Sequence, residues 1–308
     1  MEQLVESISK IPQLIVYGII SGSILTLGAV GLSLTYKILN FANFAHGDVM
    51  ALGAFFALAS LTFLRWLGVS ATPFGSLSFG FPMVIAFIIA ILLTAVTVII
   101  IDRILYKKLR KTGRIILLVA SVGVALSLRN VIQFIWGPDP QYYFKKIQIA
   151  KKILGIRIKP DEILIIGIAV LLVLLLHLFL QYTKMGKAMR ATSDNMELAQ
   201  VTGIDTDKII IWTWVIGSAL AAVGGILVGI ENKFITPELG WQLLLPIFAA
   251  VILGGIGNPY GAMAGAMIIG LSEEISTAFI STAYKPAVAF IILVIVLLFK
   301  PKGLFGGK

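Results

Sequence analysis

Cysteine is absent from the 308-residue chain, and histidine occurs only at His46 and His177. The first absence excludes disulfides, thiolate chemistry and cysteine metal ligands. Two histidines far apart in the chain also argue against a metal centre. Charge is scarce: Asp, Glu, Lys and Arg make up 13% of the residues, where a soluble domain carries about a quarter. Such a chain could not cover its own surface with polar groups in water. No Gly-rich loop ends in Lys and Ser/Thr, so the usual phosphate cradle of a nucleotide-hydrolysing protein is missing. No His/Asp/Glu cluster stands at catalytic spacing, which argues against an enzyme, and no cofactor is expected. What is there is hydrophobic, 58% of the residues, in recurring runs of about 20 that are each long enough to cross about 30 Å of hydrocarbon.

These runs predict an all-α polytopic transmembrane helical bundle of about 8–10 spans, with broken or half helices, forming one domain over residues 1–308. Spans are expected near 12–36, 47–67, 82–101, 115–135, 163–182, 208–230, 243–257, 261–280 and 286–299. The first eight residues have apolar positions at helical spacing and are expected along the interface. The net charge of +10 reads as loops beside anionic headgroups rather than nucleic-acid binding. The short basic loop Asp102 to Arg114 belongs on the cytoplasmic side. An even number of spans then carries the basic tail Lys300-Pro301-Lys302-Gly303 to that side as well, so the C-terminus is expected in the cytoplasm of a multi-pass cell-membrane protein. Residues 137–162 fall outside despite six basic residues. Alternation in Lys146-Ile147-Gln148-Ile149 and Ile153 to Ile158 predicts a small hairpin there, solvated or receiving an acidic soluble partner.

One polar island, 184–208, interrupts the apolar pattern on the cytoplasmic side. Asp194 followed by Glu197 has the spacing of a capping box, and Gly203 fits the left-handed position after a helix end. The helix between them has barely two turns, too short to persist alone in water. Taken by itself, the spacing also fits an ordinary loop helix. Inside the membrane, Asn43, His46 and Asp48 fall in a Gly-interrupted stretch after Lys37 and Asn40. They predict a broken helix along a translocation pathway, or caps on the second span. Gly254 and Gly255 mark a second break, before Asn258-Pro259, and a bend there during transport predicts that Leu at Gly255 stops uptake. Gly18-x-x-x-Gly22, Gly225-x-x-x-Gly229 and Gly261-x-x-x-Gly265 are helix-contact patterns. Glu273 faces a polar interior or the interface, and lone His177 reads as a hydrogen-bonded packing residue.

Four segments, in order, are similar to the membrane permeases of branched-chain amino acid ABC importers, and most of all to the LivH-type subunit. They are Asn43 to Asp48, Met189 through Ile204, Ala249 to Gly257, and Lys300 to Gly306. Glu197-x-Ala199-x-x-x-Gly203 resembles the Glu-Ala-Ala-x-x-x-Gly docking loop of such permeases, with Leu198 in place of the middle alanine. Asn258 stands where many relatives have Ser, and the tail is more basic than the family's usual form. The resemblance implies a permease subunit that forms the translocation pathway of an ATP-driven importer for branched-chain, hydrophobic amino acids. It implies a LivM-type second permease, two ABC ATPase subunits that hydrolyse the ATP, and an extracytoplasmic amino acid-binding protein. Arg190, Asp194, Glu197, Ala199 and Gly203 would couple to the ATPase, with Ala199 small enough to enter a groove and Arg190 paired to acidic residues. Asn43, His46, Asp48, Gly254, Gly255 and Glu273 would line the pathway. The alternatives are an ion-coupled secondary transporter, or an ABC permease for urea, amides or other amino acids.

Overall fold

A segment in hydrocarbon must satisfy its own backbone N–H and C=O groups, and a helix does so without a partner strand. The computed structural model describes residues 2–69, 72–144, 148–153 and 155–306, with side chains from residue 9 onward except at 153. Its helices are α1 (Glu2–Leu39), α2 (His46–Trp66), α3 (Phe81–Ile101), α4 (Lys107–Leu109), α5 (Arg114–Trp136), α6 (Pro160–Tyr182), α7 (Lys184–Asp194), α8 (Met196–Val201), α9 (Thr206–Asn232), α10 (Leu239–Gly254), α11 (Pro259–Ser276) and α12 (Lys285–Phe299). A π-helical turn, Asp102–Tyr106, joins α3 to α4. Among the described residues, seven helical stretches are long and apolar enough to cross a membrane: Ser9–Leu39, His46–Trp66, Phe81–Leu109, Arg114–Trp136, Pro160–Tyr182, Thr206–Asn232 and Thr282–Phe299. The seventh and eighth expected spans are α10 and α11, with 16 and 18 residues. At 1.5 Å per residue they measure about 24 and 27 Å, slightly short of the hydrocarbon thickness.

Small residues set the packing. An added Cβ at Gly22 would lie 3.1 Å from the Cα of Met267, and one at Gly270 would lie 2.5 Å from the Cα of Gly22. Helices α1 and α11 therefore run antiparallel with their backbones nearly touching, as the Gly18/Gly22 pattern predicts. Gly261 and Gly265 bring α11 equally close to α10, against the carbonyls of Gly254 and Ala250. Gly225 receives the backbone of Met50, whereas Gly229 makes room for the side chains of Tyr143 and Ile235. The second half of that motif thus serves a loop and not a helix. Helices α1, α2 and α9 occupy the centre, with Leu27, Met50, Phe55, Ala222 and Ile226 fully buried.

The chain alternates between two faces. On one, the loop face, Lys107 pairs with Asp207 at 2.9 Å, and the tail folds onto the end of α10 through Leu304 N–H to Leu253 O at 2.7 Å. The opposite face carries the loops before α6 and after α9. There the strands β1 (Lys151–Ile153) and β2 (Ile156–Ile158) form an antiparallel hairpin. It is tighter than the alternation implied. Residues 146 and 147 of the expected first strand lie outside the described residues, and Gln148 turns its amide to Ser76 O at 2.6 Å and Asp161 at 2.9 Å instead of pairing. Gln13 clamps the hairpin to α1 by two bonds to the Arg157 backbone, both 2.8 Å.

Candidate functional site

Three groups of polar residues stand out against the apolar bundle. The first follows the chain break after α1. Asn40 takes a left-handed backbone, φ 57°, and residues 41–45 lead to α2, whose N-cap is Ala45 without a side-chain cap bond. The Asn43 carboxamide oxygen accepts from Ala45 N–H at 3.1 Å and from the Tyr106 hydroxyl at 3.4 Å. His46 Nε2–H donates to the Gly28 carbonyl on α1 at 2.9 Å. Asp48 takes two bonds from the Arg129 guanidinium, at 3.1 and 3.2 Å, and that guanidinium also lies 5.2 Å from the Trp241 ring centre. His46 and Asp48 are 2% and 0% exposed. The expectation that they cap the second span is therefore incorrect. Both side chains are consumed in ties from α2 to α1 and α5, which fix the broken helix in place. A buried charge demands such a partner, and Arg129 was legible only as one more intramembrane polar group.

The second group is the helix pair α7–α8 on the loop face. Thr183 Oγ1 accepts the Gly186 N–H at 2.9 Å and starts α7, which buries Met189 and Thr192. Asp194 closes α7 and is not the cap of α8. That cap is Asn195, whose Oδ1 accepts the Leu198 N–H at 2.9 Å, because Asn195 adopts the extended backbone that an N-cap needs while Asp194 is still helical. At the far end Gly203 sits at φ 89°. Ile204 N–H bonds Ala199 O at 2.9 Å and Gly203 N–H bonds Gln200 O at 3.0 Å, the pair of bonds that closes a helix on a left-handed residue. Asp205 then caps α9 by accepting the Lys208 N–H at 3.1 Å. That bond and the neighbouring Lys208 ammonium hold its carboxyl below the usual carboxylate range.

Two placements correct the expected coupling surface. Ala199 is 3% exposed and packs against its own chain, so it offers nothing to a groove elsewhere. The residues that α8 presents are Glu197, Leu198, Gln200 and Val201, with Leu198 and Val201 60% and 85% exposed. Arg190 turns back and donates to the Gln181 carboxamide beside Lys37 and Ser193, so its guanidinium is already engaged.

The glycine break is a structural elbow. An added Cβ at Gly254 would lie 2.0 Å from the Gly261 carbonyl oxygen, and one at Gly255, where φ is 102°, would lie 2.6 Å from the Gly306 nitrogen. Leu at Gly255 would therefore displace the tail itself and would not selectively block a bend. Asn258 caps α11 through bonds to Tyr260 and Gly261 N–H, while its amide N–H donates to Phe305 O at 3.1 Å. A serine there could cap but lacks this reach to the tail. His177 bonds the Tyr260 hydroxyl at 2.8 Å, as a packing histidine should.

The third group lies toward the opposite face. Asp161, 1% exposed, gathers the Ser78 hydroxyl and N–H, the Gln148 amide and Lys233 Nζ. Only its place after Pro160, at a helix start, hinted at this. Beyond it, Ser21, Glu231, Asn232, Gln242, Glu273 and Lys285 border a cavity of about 190 Å³. Glu274 is neutralised by Lys285 at 2.6 Å, while Glu273 is 8% exposed. Among the described residues no group of three or more His, Asp or Glu side chains could hold a metal ion.

Residues 14–297 match the family model described as branched-chain amino acid transport system / permease component. The chain is 32% identical over 295 residues to the high-affinity branched-chain amino acid transport system permease protein LivH of Escherichia coli strain K12, covering 94% of this chain and 93% of that protein. It is also 32% identical over 303 residues to the corresponding permease protein BraD of Pseudomonas aeruginosa, covering 96% and 95%. Among solved structures, PsaBC from Streptococcus pneumoniae in complex with Fab matches with a TM-score of 0.51 and 14% identity over 97% of each chain. At that identity the likeness is one of fold alone.

Proposed function

The chain belongs to the family of permease components of branched-chain amino acid transport systems, and from that membership we propose how it works as the membrane-spanning subunit of an ATP-driven importer. It carries branched-chain amino acids across the cell membrane together with a LivM-type second permease. Two ABC ATPase subunits drive it, and an extracytoplasmic amino acid-binding protein supplies it. The chain itself hydrolyses nothing. The loop face is cytoplasmic, a reading supported by Lys107, Lys108, Arg110, Lys111 and Arg114 in one short loop and by the basic tail beside it. The C-terminus is then cytoplasmic, and the β1–β2 hairpin extracytoplasmic.

The observation that carries the coupling role is α8. It has six residues, caps at both ends and two exposed apolar side chains, Leu198 and Val201. A helix so short holds its shape by its caps and by the buried Ala199, and it offers a rigid apolar point to an ATPase groove with Glu197 at its rim. Movement of the ATPases then reaches the bundle through α7, whose Met189 is packed into the core. The place assigned to the second permease is an apolar groove of about 480 Å³ lined by Phe44, Trp241, Leu245 and Phe248.

The test is reconstitution of the co-purified complex in liposomes with its binding protein. Leucine, isoleucine or valine is expected to stimulate ATP hydrolysis and to accumulate in step with it. Uptake by this chain alone, driven by an ion gradient without ATP, would contradict the reading.

A further inference from the structure

Most of the deep carboxylates in the molecule have a cation within reach. Asp48 has Arg129, Asp102 has Arg110, Asp161 has Lys233, Glu162 has Lys159 and Glu274 has Lys285. Glu273 differs. It lies in the last turn of α11, is 8% exposed, and its Oε1 has no hydrogen-bond partner among the described residues. A buried polar oxygen without a partner is costly, and nothing in the packing described above requires it.

The cavity of about 190 Å³ at Glu273 has two kinds of wall. Leu25, Val228 and Leu243 make one side apolar. Glu231, Asn232 and Gln242 make the other polar, with Lys285 beside them. The cation there is already taken, since Lys285 lies 2.6 Å from Glu274. Glu231 meets Lys159 at 4.0 Å, the outer limit of an ion pair. The cavity therefore sets carboxyl groups and amide donors against an apolar wall. It sits at the ends of α9 and α11 and the starts of α10 and α12, away from α8 and open to the opposite face.

We propose that this cavity is an entry site for a zwitterionic α-amino acid, with Glu273 accepting the ammonium group. Asn232 and Gln242 supply donors for the carboxylate, and Leu25, Val228 and Leu243 take an aliphatic side chain. The inference rests on the transport reading above and gives it a port on the side where a binding protein delivers its solute.

The assembled transporter in liposomes tests it, with leucine as the probe and hydrolysis without solute as the control for assembly. Glu273→Gln is expected to lower leucine uptake about 10- to 100-fold, the weight of a hydrogen bond to a charged group, with solute-free ATP hydrolysis unchanged. Glu273→Asp, which keeps the charge, is expected to recover most of the uptake. Uptake by the Gln variant equal to wild type would overturn the proposal, and so would an equal loss in the Asp variant with hydrolysis intact. Should Glu273→Gln fail to assemble, the exposed Gln242→Leu replaces it. That change is expected to cut uptake about 2- to 10-fold, and unchanged uptake would overturn the site. Absence of ATP-driven leucine uptake by the wild-type complex is a separate result and would count against the transport reading itself.

Discussion

Asp48 has no solvent exposure, and both its oxygens are bound by Arg129, so neither charge is tolerable without the other. Removing one partner of a buried pair costs about 3–5 kcal/mol, whereas replacing both by neutral groups of similar size costs far less. Asp48→Ala is therefore expected to lower the stability of the solubilised protein by that amount. Asp48→Asn combined with Arg129→Leu should recover most of it, read as a double-mutant cycle of thermal unfolding. Additive losses from the two sites would show that the pair is not coupled. The sequence marked His46 and Asp48 as anomalous because charge and imidazole are rare in apolar helices. Their partners were not legible. Arg129 lies 81 residues from Asp48, and no local spacing announces which of several intramembrane polar groups will meet. Glu273 was visible for the same reason as Asp48, but its missing partner emerges only in three dimensions.

For elements, α8 separates what spacing can reveal from what it cannot. Gly203 was readable, since a left-handed residue after a short helical pattern favours glycine. The start of the helix was off by one residue, because Asp194 and Asn195 both suit an N-cap and only the backbone decides between them. The face of α8 was not legible at all. In six residues, less than two turns, no periodicity tells inward from outward, and a small residue such as Ala199 suits either side. The capping assignment has a direct check by hydrogen exchange in α8. Asn195→Ala should weaken the helix by about 1 kcal/mol and speed exchange of the α8 amides about fivefold, while Asp194→Ala should leave them unchanged. The reverse ranking would restore Asp194 as the cap. The elbow at Gly254–Gly255 follows the same logic. Its glycines were visible as a break, yet one part of their job, admitting the tail to backbone contact, depends on a segment some 50 residues away.

At the scale of the whole molecule, apolar run length predicted the long helices. Seven described stretches satisfy the requirements for a span, while the seventh and eighth expected spans fall on α10 and α11, which do not meet them. Hydrophobicity is a property of each segment, so it survives folding. The hairpin register and the network around Asp161 join distant loops and do not. The account's central claim is that α8 is the contact through which an ATPase moves this bundle. The absence of native cysteine makes a site-specific test clean. Single cysteines at Leu198, Val201 and Ala199 would be introduced into the assembled, actively transporting complex and treated with a short bifunctional thiol reagent, against a cysteine in the ATPase groove. Cross-links from Leu198→Cys and Val201→Cys, with none from the buried Ala199→Cys, are the predicted result. No cross-link from Leu198→Cys or Val201→Cys in a complex that still transports would contradict the account.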